Sequence, residues 1–502
     1  MPVTSSYTQE SDFLLAIDQG TSGTKSLLVD SLGKVVAKAT QPLKTQYLDK
    51  GWVEQDPQGI LENVRISVKK CLQTFEESQG FFPKVIAAGI SNQRETFVLW
   101  DENGNALAPA VVWQCKRSIA VCEDLKDRGL DKKIREKTGL IIDPYFSGSK
   151  LIWLHQESPS IREKISSGEA FFGTVDTWLL YSLTGGKSYA TDYTNASRTL
   201  FFNIQSLTWD KELLRGFGLE GINLPACHPS SFAFGTSDFW GLFPSPVPIT
   251  GMIGDSHAAA FGEGCFLPGT AKATLGTGSS ILMNIGDQLK YSEHGMVTTI
   301  CWSTEKQVQY ALEGVIVTCG ATIEWLKNQL GILADSKDSE KMAKEVENNG
   351  GVYLIPAFSG LGAPHWDMNR KASIVGLTFS STKNHLIRAA LESIPYQISD
   401  VLEVMEQDAG MDLQQLMVDG GISSSEFIVQ FLSDLLQKEV VNIGIPDVSA
   451  LGAAYMAGLK AGVFRDLEHL KSLSVSQKTY TPKDPTQIHS WHQEWKKYLS
   501  QG

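Results

Sequence analysis

Asp18 ends an apolar run and is followed at once by Gly20, Thr21, Ser22, Gly23, Thr24 and Lys25, in "FLLAIDQGTSGTKSLLVD" (13–30). Backbone N–H groups of a Gly-rich turn point at anions, and the hydroxyls of Thr21 and Ser22 add donors, so the turn suits phosphate. Lys25 supplies positive charge. A carboxylate repels phosphate, so Asp18 makes sense there as a ligand, through water, of a Mg2+ ion bridging phosphate oxygens. The plainer alternative is a turn capped by Asp18. Two later stretches have similar chemistry. "TLGTGSS" (274–280) offers a second set of donors, and "VDGGISSSEF" (418–427) places Gly420 and Gly421 between a strand and a serine-capped helix. Such a turn lets a flat ring or a phosphate approach the backbone closely, although an ordinary strand-to-helix turn reads the same way.

A different chemistry is suggested by "GMIGDSHAAAFGEG" (251–264). Asp255 sits between Gly254 and the start of a small-residue helix, where a carboxylate can take the proton of an alcohol or simply cap the helix. His257 is a rival base, but a lone histidine more often serves structure. Arg94 and Glu95 stand together after a strand in "GISNQRETFVLWD" (89–101). In a cleft they would bind a polyhydroxylated molecule, arginine donating and glutamate accepting; on a surface they would merely be solvated. Trp113 is either an apolar wall for a carbon skeleton or a core tryptophan. "GGKS" (185–188) has the end of a P-loop, but Tyr181 occupies the required earlier glycine position and the preceding "DTWLLYSL" reads as helix, so that motif fails.

These residues need elements to position them. "FLLAID" and "KSLLVD" read as strands joined by a short turn and therefore antiparallel, with "GKVVAKAT" as a third. The spacing over 56–77 predicts a helix, with Asp56 as cap and Pro57 in the first turn. "KVIAAGISN" is a further strand, and 387–407 and 424–438 read as helices. "TQYLDKGWVEQDP" and "FGTSDFWGLFPSPVPIT" read as surface or lining loops. The second half begins as the first does, with strand, Gly-Thr-Gly turn and strand over 269–286. The pattern is α/β with two related domains and a boundary near 262–270.

The 502 residues exceed one compact core, and 42% hydrophobic with 20% charged residues describes a soluble globular chain. Lys+Arg of 44 against Asp+Glu of 56 gives a net charge of −12, which argues against nucleic acid or an anionic membrane as partner. Seven irregularly spaced cysteines without a CxxC pair suggest reduced thiols and no zinc. No basic-then-apolar start suggests a secretory signal, and no apolar run is long enough for a membrane helix. A cytoplasmic enzyme is the expectation.

Taken in order, "AIDQGT", "GISNQRET", "VVWQCKRS", "DPYFSGSKLIWL", "TVDTWLLYSLTGG", "TDYTNASRTLFF", "GDSHAAAFG", "LGTGSSILMN", "ALEG", "IPAFSGLGAPHWD" and "VDGGISSS" resemble the FGGY family of carbohydrate kinases over about 13–465. The nearest resemblance is to its glycerol-phosphorylating branch. It implies two actin-like/RNase H-like domains flanking a catalytic cleft: 11–262 on the substrate and phosphate side, 263–465 on the nucleotide side, with 466–502 as a C-terminal extension. It implies ATP-dependent phosphorylation of a hydroxyl of glycerol or a similar short polyol, with ATP/ADP and Mg2+ as cofactors. A homodimer or homotetramer is the expected assembly.

By the same resemblance Asp255 is the base. Arg94, Glu95, Trp113 and Tyr145 form the substrate shell, and Asp18 holds the metal. Thr21, Ser22 and Lys25 form the first phosphate turn, and Thr277 with Gly278 the second. Gly320 and Gly421 line the nucleotide. Three positions depart from that branch: Ser256 replaces a glutamine that touches substrate, Ser280 a phenylalanine that closes the pocket, and Ser425 an asparagine that often meets adenine. The first two substitutions remove bulk and suggest a roomier pocket for four- or five-carbon polyols. The loop 239–248 lacks the Gly/Arg-rich stretch with which some members bind fructose 1,6-bisphosphate, so insensitivity to that effector is expected. A pentulose (xylulose-type) kinase of the same family and a catalytically idle actin-like sugar-binding protein are the alternatives.

Overall fold

The computed structural model describes residues 7–473, 477–483 and 486–501. Residues 1–6, on which part of the reading about targeting rests, lie outside it. The chain forms two compact units, the first built from Met1–Gly264, Thr299–Tyr310 and Asp447–Leu473 and the second from Cys265–Thr298, Ala311–Pro446 and Ser474–Gly502. The compact units are thus interleaved along the chain. The helix Val448–Ala461 belongs to the first unit.

In the first unit, β1 (Asp12–Gly20) and β2 (Gly23–Asp30) form the antiparallel hairpin read from the sequence, with Gly20 paired to Gly23 across the turn. β3 (Val35–Pro42) adds antiparallel to β2. α1 (Pro57–Gln79) begins where the sequence predicts: Asp56 caps it by accepting from the Gln58 N–H, and Gly80 ends it in the left-handed conformation at φ 78°. Ile60, Val64, Val68, Cys71, Leu72 and Phe75 form its buried stripe, packed with Phe13, Leu15 and Ile17 of β1. β4 (Lys84–Asn92) and β5 (Val247–Gly254) then lie parallel to β1, in the order β3-β2-β1-β4-β5. α2 (Asp255–Gly262) follows β5 directly.

The helix Val448–Ala461, made largely of small residues, covers this sheet very closely. A Cβ on Gly89 of β4 would lie 2.1 Å from the Ala453 carbonyl oxygen, and one on Gly452 would lie 1.9 Å from the Ala258 oxygen. Only glycine permits that approach.

The two stretches expected to be loops contain strands. "TQYLDKGWVEQDP" folds as the strands Gln46–Leu48 and Trp52–Gln55, which join Ala110–Val111, Phe97–Trp100 and Phe171–Thr174 in a five-stranded antiparallel sheet. "FGTSDFWGLFPSPVPIT" contains the end of the strand Ser231–Ser237 and the start of β5. "GGKS" follows the helix Val175–Leu183 and no strand, consistent with rejecting the P-loop.

The second unit repeats the opening arrangement. β6 (Thr270–Leu275) and β7 (Ser279–Gly286) form an antiparallel hairpin around the Gly-Thr-Gly turn. α3 (Ala321–Asn328) and the long helix Lys383–Ala409 follow. β8 (Gln415–Asp419) then lies parallel to β6 and leads through a 3-10 turn into α4 (Glu426–Leu436). Tyr353, Ile355, Tyr396, Phe431, Leu435 and Trp495 form a core under the C-terminal helix Thr486–Ser500. All seven cysteines are free, and among the described residues no helix is long and apolar enough to cross a membrane.

Candidate active site

Because β1, β4 and β5 are parallel, their carboxyl ends share one edge, where ligands of open α/β sheets usually bind. Register does the positioning. Asp18 lies beside Ser91 and Gln19 beside Asn92 on one side, while Gly254 lies beside Asn92 on the other. The chain leaves β4 through Gln93-Arg94-Glu95 and leaves β5 at Asp255, so these groups meet without any nearness in sequence.

Asp255 is the first residue of α2 and Gly254 is the cap, so the side chain is not used to cap the helix. The Ser256 N–H donates to Asp255 Oδ1 at 2.7 Å. Arg94 Nε is 3.3 Å from the same oxygen; the arginine side chain is 5% exposed, the aspartate 39%. A Cβ on Gly254 would lie 2.7 Å from Arg94 Cγ, so glycine there lets the arginine cross to the carboxylate. His257 is buried with Nε2 3.4 Å from Thr299 Oγ1, which makes it structural.

Glu95 is buried in a left-handed conformation at φ 62°, uncommon for a residue other than glycine and often found where geometry serves function. Its Oε1 accepts from Arg198 Nε at 2.6 Å, and both side chains are almost wholly buried. Trp113 Nε1 donates to Thr21 Oγ1 at 2.9 Å, and Thr21 Oγ1 donates to Gln93 Oε1 at 3.1 Å. The first turn and the aromatic wall are thus one network. Tyr145 packs edge-on against Trp113, with ring centres 5.5 Å apart, and its carbonyl accepts from the buried Lys150 ammonium at 2.6 Å. Burial brings Lys150 down to about 7, against the pull of Glu95.

Asp18 Oδ1 accepts from Ser91 Oγ at 3.0 Å. Its carboxyl is pushed up to about 6, first by burial and then by the Asp255 carboxylate; Lys25 and the Ser91 hydrogen bond oppose this. Asp18 is a buried hard oxygen donor raised by a neighbouring negative charge, a strain that a small divalent cation relieves, so the residue present fits Mg2+. Lys25, placed by the resemblance in the first phosphate turn, holds Asp447 at 2.8 Å. Ser22 lies exposed at the turn.

Several residues that build this edge escaped the sequence reading. Gln93 accepts from Thr21 and Thr96 and donates to Gln19 and Gln55. Asp192 binds the Thr194 hydroxyl, and that hydroxyl accepts from the Gly254 N–H at 2.9 Å, fixing the turn that presents Asp255. Asn195 bonds both Asp192 and Asn92. The bonds that tie these residues to the site, Gln93 to Thr21 and Gln19, Asn195 to Asn92 and Thr194 to Gly254, span 60 or more residues, so no local pattern marks them.

In the second unit the parallel pair β6 and β8 brings Thr274 beside Asp419, so the turns after both strands open together. The Gly276 and Thr277 carbonyls accept from Gly320 and Ala321 N–H at 2.9 and 3.1 Å, tying the glycine turn to the start of α3. A cavity of about 700 Å3 lies here, of the size that holds small ligands and cofactors. Thr277, Gly320, Gly421 and Ser425 line it; Gly278 is not among its lining residues, and a Cβ there would lie 2.7 Å from the Ile316 carbonyl oxygen. Glu324, Ser336, Ser339, Glu340 and Ile422 also line it, unforeseen from sequence. Nothing lies within 4 Å of where a Cβ on Gly421 would sit, leaving its backbone open to a ligand. Ser280 lies 3.4 Å from the buried Glu313 carboxylate, within this unit.

Comparison with known proteins gives this arrangement its class. The models for the N-terminal and C-terminal domains of the FGGY family of carbohydrate kinases match residues 13–262 and 271–461. The chain belongs to the FGGY family of carbohydrate kinases. More particularly, it is 46% identical over 488 residues to glycerol kinase of Thermoanaerobacter sp. (strain X514), covering 97% of both chains. It is 43% identical to glycerol kinase 2 of Thermotoga maritima, covering 97% of this chain and 98% of that one. The crystal structure of Plasmodium falciparum glycerol kinase with ADP matches with a TM-score of 0.93 at 34% identity, covering 98% of each chain.

Proposed function

We propose that this chain transfers the γ-phosphoryl group of ATP to a hydroxyl of glycerol or a similar short polyol, giving the polyol phosphate and ADP. The observation that carries the reading is Asp255, a half-exposed carboxylate at the end of β5, 3.3 Å from the buried Arg94. Asp255 accepts the hydroxyl proton while the oxygen forms its bond to phosphorus and the bond to the ADP oxygen breaks. Arg94 and Ser256 orient the carboxylate. Arg94 and Glu95 bind substrate hydroxyls, and Trp113 and Tyr145 pack on the carbon skeleton. Arg198 holds Glu95 in place. Asp18 would hold Mg2+, which neutralises charge on the phosphate oxygens when bound. Thr277, Gly320, Gly421 and Ser425 contact the nucleotide.

A coupled ADP-release assay over glycerol, erythritol, threitol, xylitol, ribitol and xylulose tests the reading. Glycerol and at least one longer polyol should be substrates, because serine at position 256 removes bulk beside Asp255. Preference for xylulose over every polyol would replace this reading with the pentulose kinase, and a wholly silent panel would remove both. Asp255→Asn should lower kcat by roughly 10²–10⁴ and leave ADP affinity within about twofold of the wild type. Unchanged turnover would show that the base lies elsewhere.

A further inference from the structure

The cavity of the second unit has two chemically distinct ends. One is the Gly276-Thr277 turn with Gly320, where backbone groups predominate; the other carries two carboxylates, Glu324 and Glu340, with the hydroxyls of Ser336, Ser339 and Ser425. Phosphates and carboxylates repel, so a bound nucleotide must place its phosphates at the glycine turn and its base and ribose among the carboxylates. Ile323, Ile422 and Ile428 supply apolar wall for a flat ring.

The two carboxylates are placed differently. Glu324 stands on the first turn of α3, one turn from Gly320, and already accepts from Ser336 Oγ at 2.5 Å and Asn328 Nδ2 at 3.2 Å. That position is beside the phosphate turn and suits ribose. Glu340 is on the helix Ser339–Lys344 and reaches across to α4, where Ser425 Oγ donates to its Oε2 at 2.8 Å. Its Oε1 is ion-paired with Lys344. Ser425 is the cap of α4, immediately after the Gly420–Ser424 turn that leaves backbone open to a ring. Each carboxylate oxygen offers two lone-pair sites, so Glu340 keeps acceptor capacity toward the cavity while held from two sides.

We propose that Glu340 is a specificity-determining residue that selects the nucleobase. It accepts a hydrogen bond from the 6-amino group of adenine and turns its lone pairs against the 6-oxo group of hypoxanthine or guanine. The selection is therefore for 6-amino purine nucleotides, and much of it is rejection of the wrong base. Ser425 acts through Glu340, positioning the carboxylate. The proposal rests on the kinase reading only for the identity of the transferred group.

The test compares ATP with ITP in the glycerol assay and ADP with IDP by titration calorimetry, for wild type and Glu340→Gln. Wild type should prefer the adenine nucleotide in both measurements by about tenfold or more. In Glu340→Gln, whose amide can donate or accept, the preference should fall to about threefold or less. The KM for glycerol should not move, which a general loss of structure would not achieve. An unchanged preference in the variant, or none in the wild type, overturns the proposal while leaving the kinase reading intact. Lost ADP/IDP discrimination in a chain that phosphorylates nothing on the polyol panel supports the proposal and sinks the substrate reading. Failure to bind either diphosphate overturns both.

Discussion

Asp18 meets Ser91 and Lys25 because strand register leaves no choice, and it feels the charge of Asp255 because β1 and β5 flank β4 and end at the same edge of the sheet. The consequence is a carboxyl that titrates at about 6 instead of near 3.8. The sign follows from linkage. The folded state holds the proton more tightly than the unfolded chain, so this group favours folding below about pH 4, and that contribution is lost as pH rises through about 6. Asp18→Asn lacks the effect. Its stability relative to wild type should therefore rise by about 3 kcal/mol between pH 4 and pH 7.5 without added metal, read from urea unfolding. Millimolar Mg2+ should shrink the gap by restoring the wild type, since a cation stabilises the ionised pair. A gap independent of pH would show that Asp18 sits in a more polar place than its neighbours imply.

At the scale of elements, the C-terminal helix Thr486–Ser500 is tied to a neighbouring helix by one acid as well as by its apolar core. Asp400, on the helix Lys383–Ala409, accepts from the buried His492 at 2.8 Å and lies 3.2 Å from Lys496, which also bonds Glu403. Burial alone would raise Asp400, but His365, His492 and Lys496 outweigh it and hold the carboxyl at about 2. Here the sign is opposite to that of Asp18: the stabilisation is present above about pH 4 and disappears as pH falls toward 2. Asp400→Asn should cost about 2 kcal/mol at pH 7 and much less at pH 2.5. Hydrogen exchange over 486–500 should report it first, because a terminal helix opens locally. Equal protection in variant and wild type at pH 7 would refute the anchoring role.

The hairpins at 12–30 and 270–286 and the capped helix at 57–79 were legible because their patterns are local: alternation, a glycine turn, an Asp-Pro start. The hairpin at 46–55 was not. Its turn is made by Lys50 and Gly51 at positive φ, and its strands are fixed by Ala110–Val111 far along the chain. The site divides in the same way. Asp18, Arg94 and Asp255 announce themselves as polar groups at the ends of apolar runs. Arg198, Gln93, Thr194 and Glu340 acquire meaning from partners 60 to 103 residues away. The same distance hid the destination of Lys25, whose partner Asp447 arrives with the last part of the first unit.

That late arrival governs the whole molecule. The chain completes its first unit only after most of the second has been made, since Asp447–Leu473 returns to it. The returning helix is almost entirely buried: Val448, Ala450, Leu451, Ala453, Ala454, Tyr455, Met456 and Ala457 all lose their solvent exposure. It fits only because Gly89 and Gly251 leave space on β4 and β5, and without it those strands show an apolar face with no side chains at two positions to fill the gap. Residues 1–264 match the extent of the N-terminal family model, yet they lack this layer. Expressed alone, they should unfold without cooperativity, bind an apolar dye and lack a near-ultraviolet dichroism spectrum. A fusion of 1–264 to 299–310 and 447–473 through Gly/Ser linkers should recover a cooperative transition, because a long flexible connection costs little more than a short one. Gly452→Leu, whose Cβ would collide with the Ala258 carbonyl, should abolish the recovery. Cooperative melting of 1–264 by itself would mean that the sheet can close its own exposed face, and the interleaved order of the chain would then carry no consequence for folding.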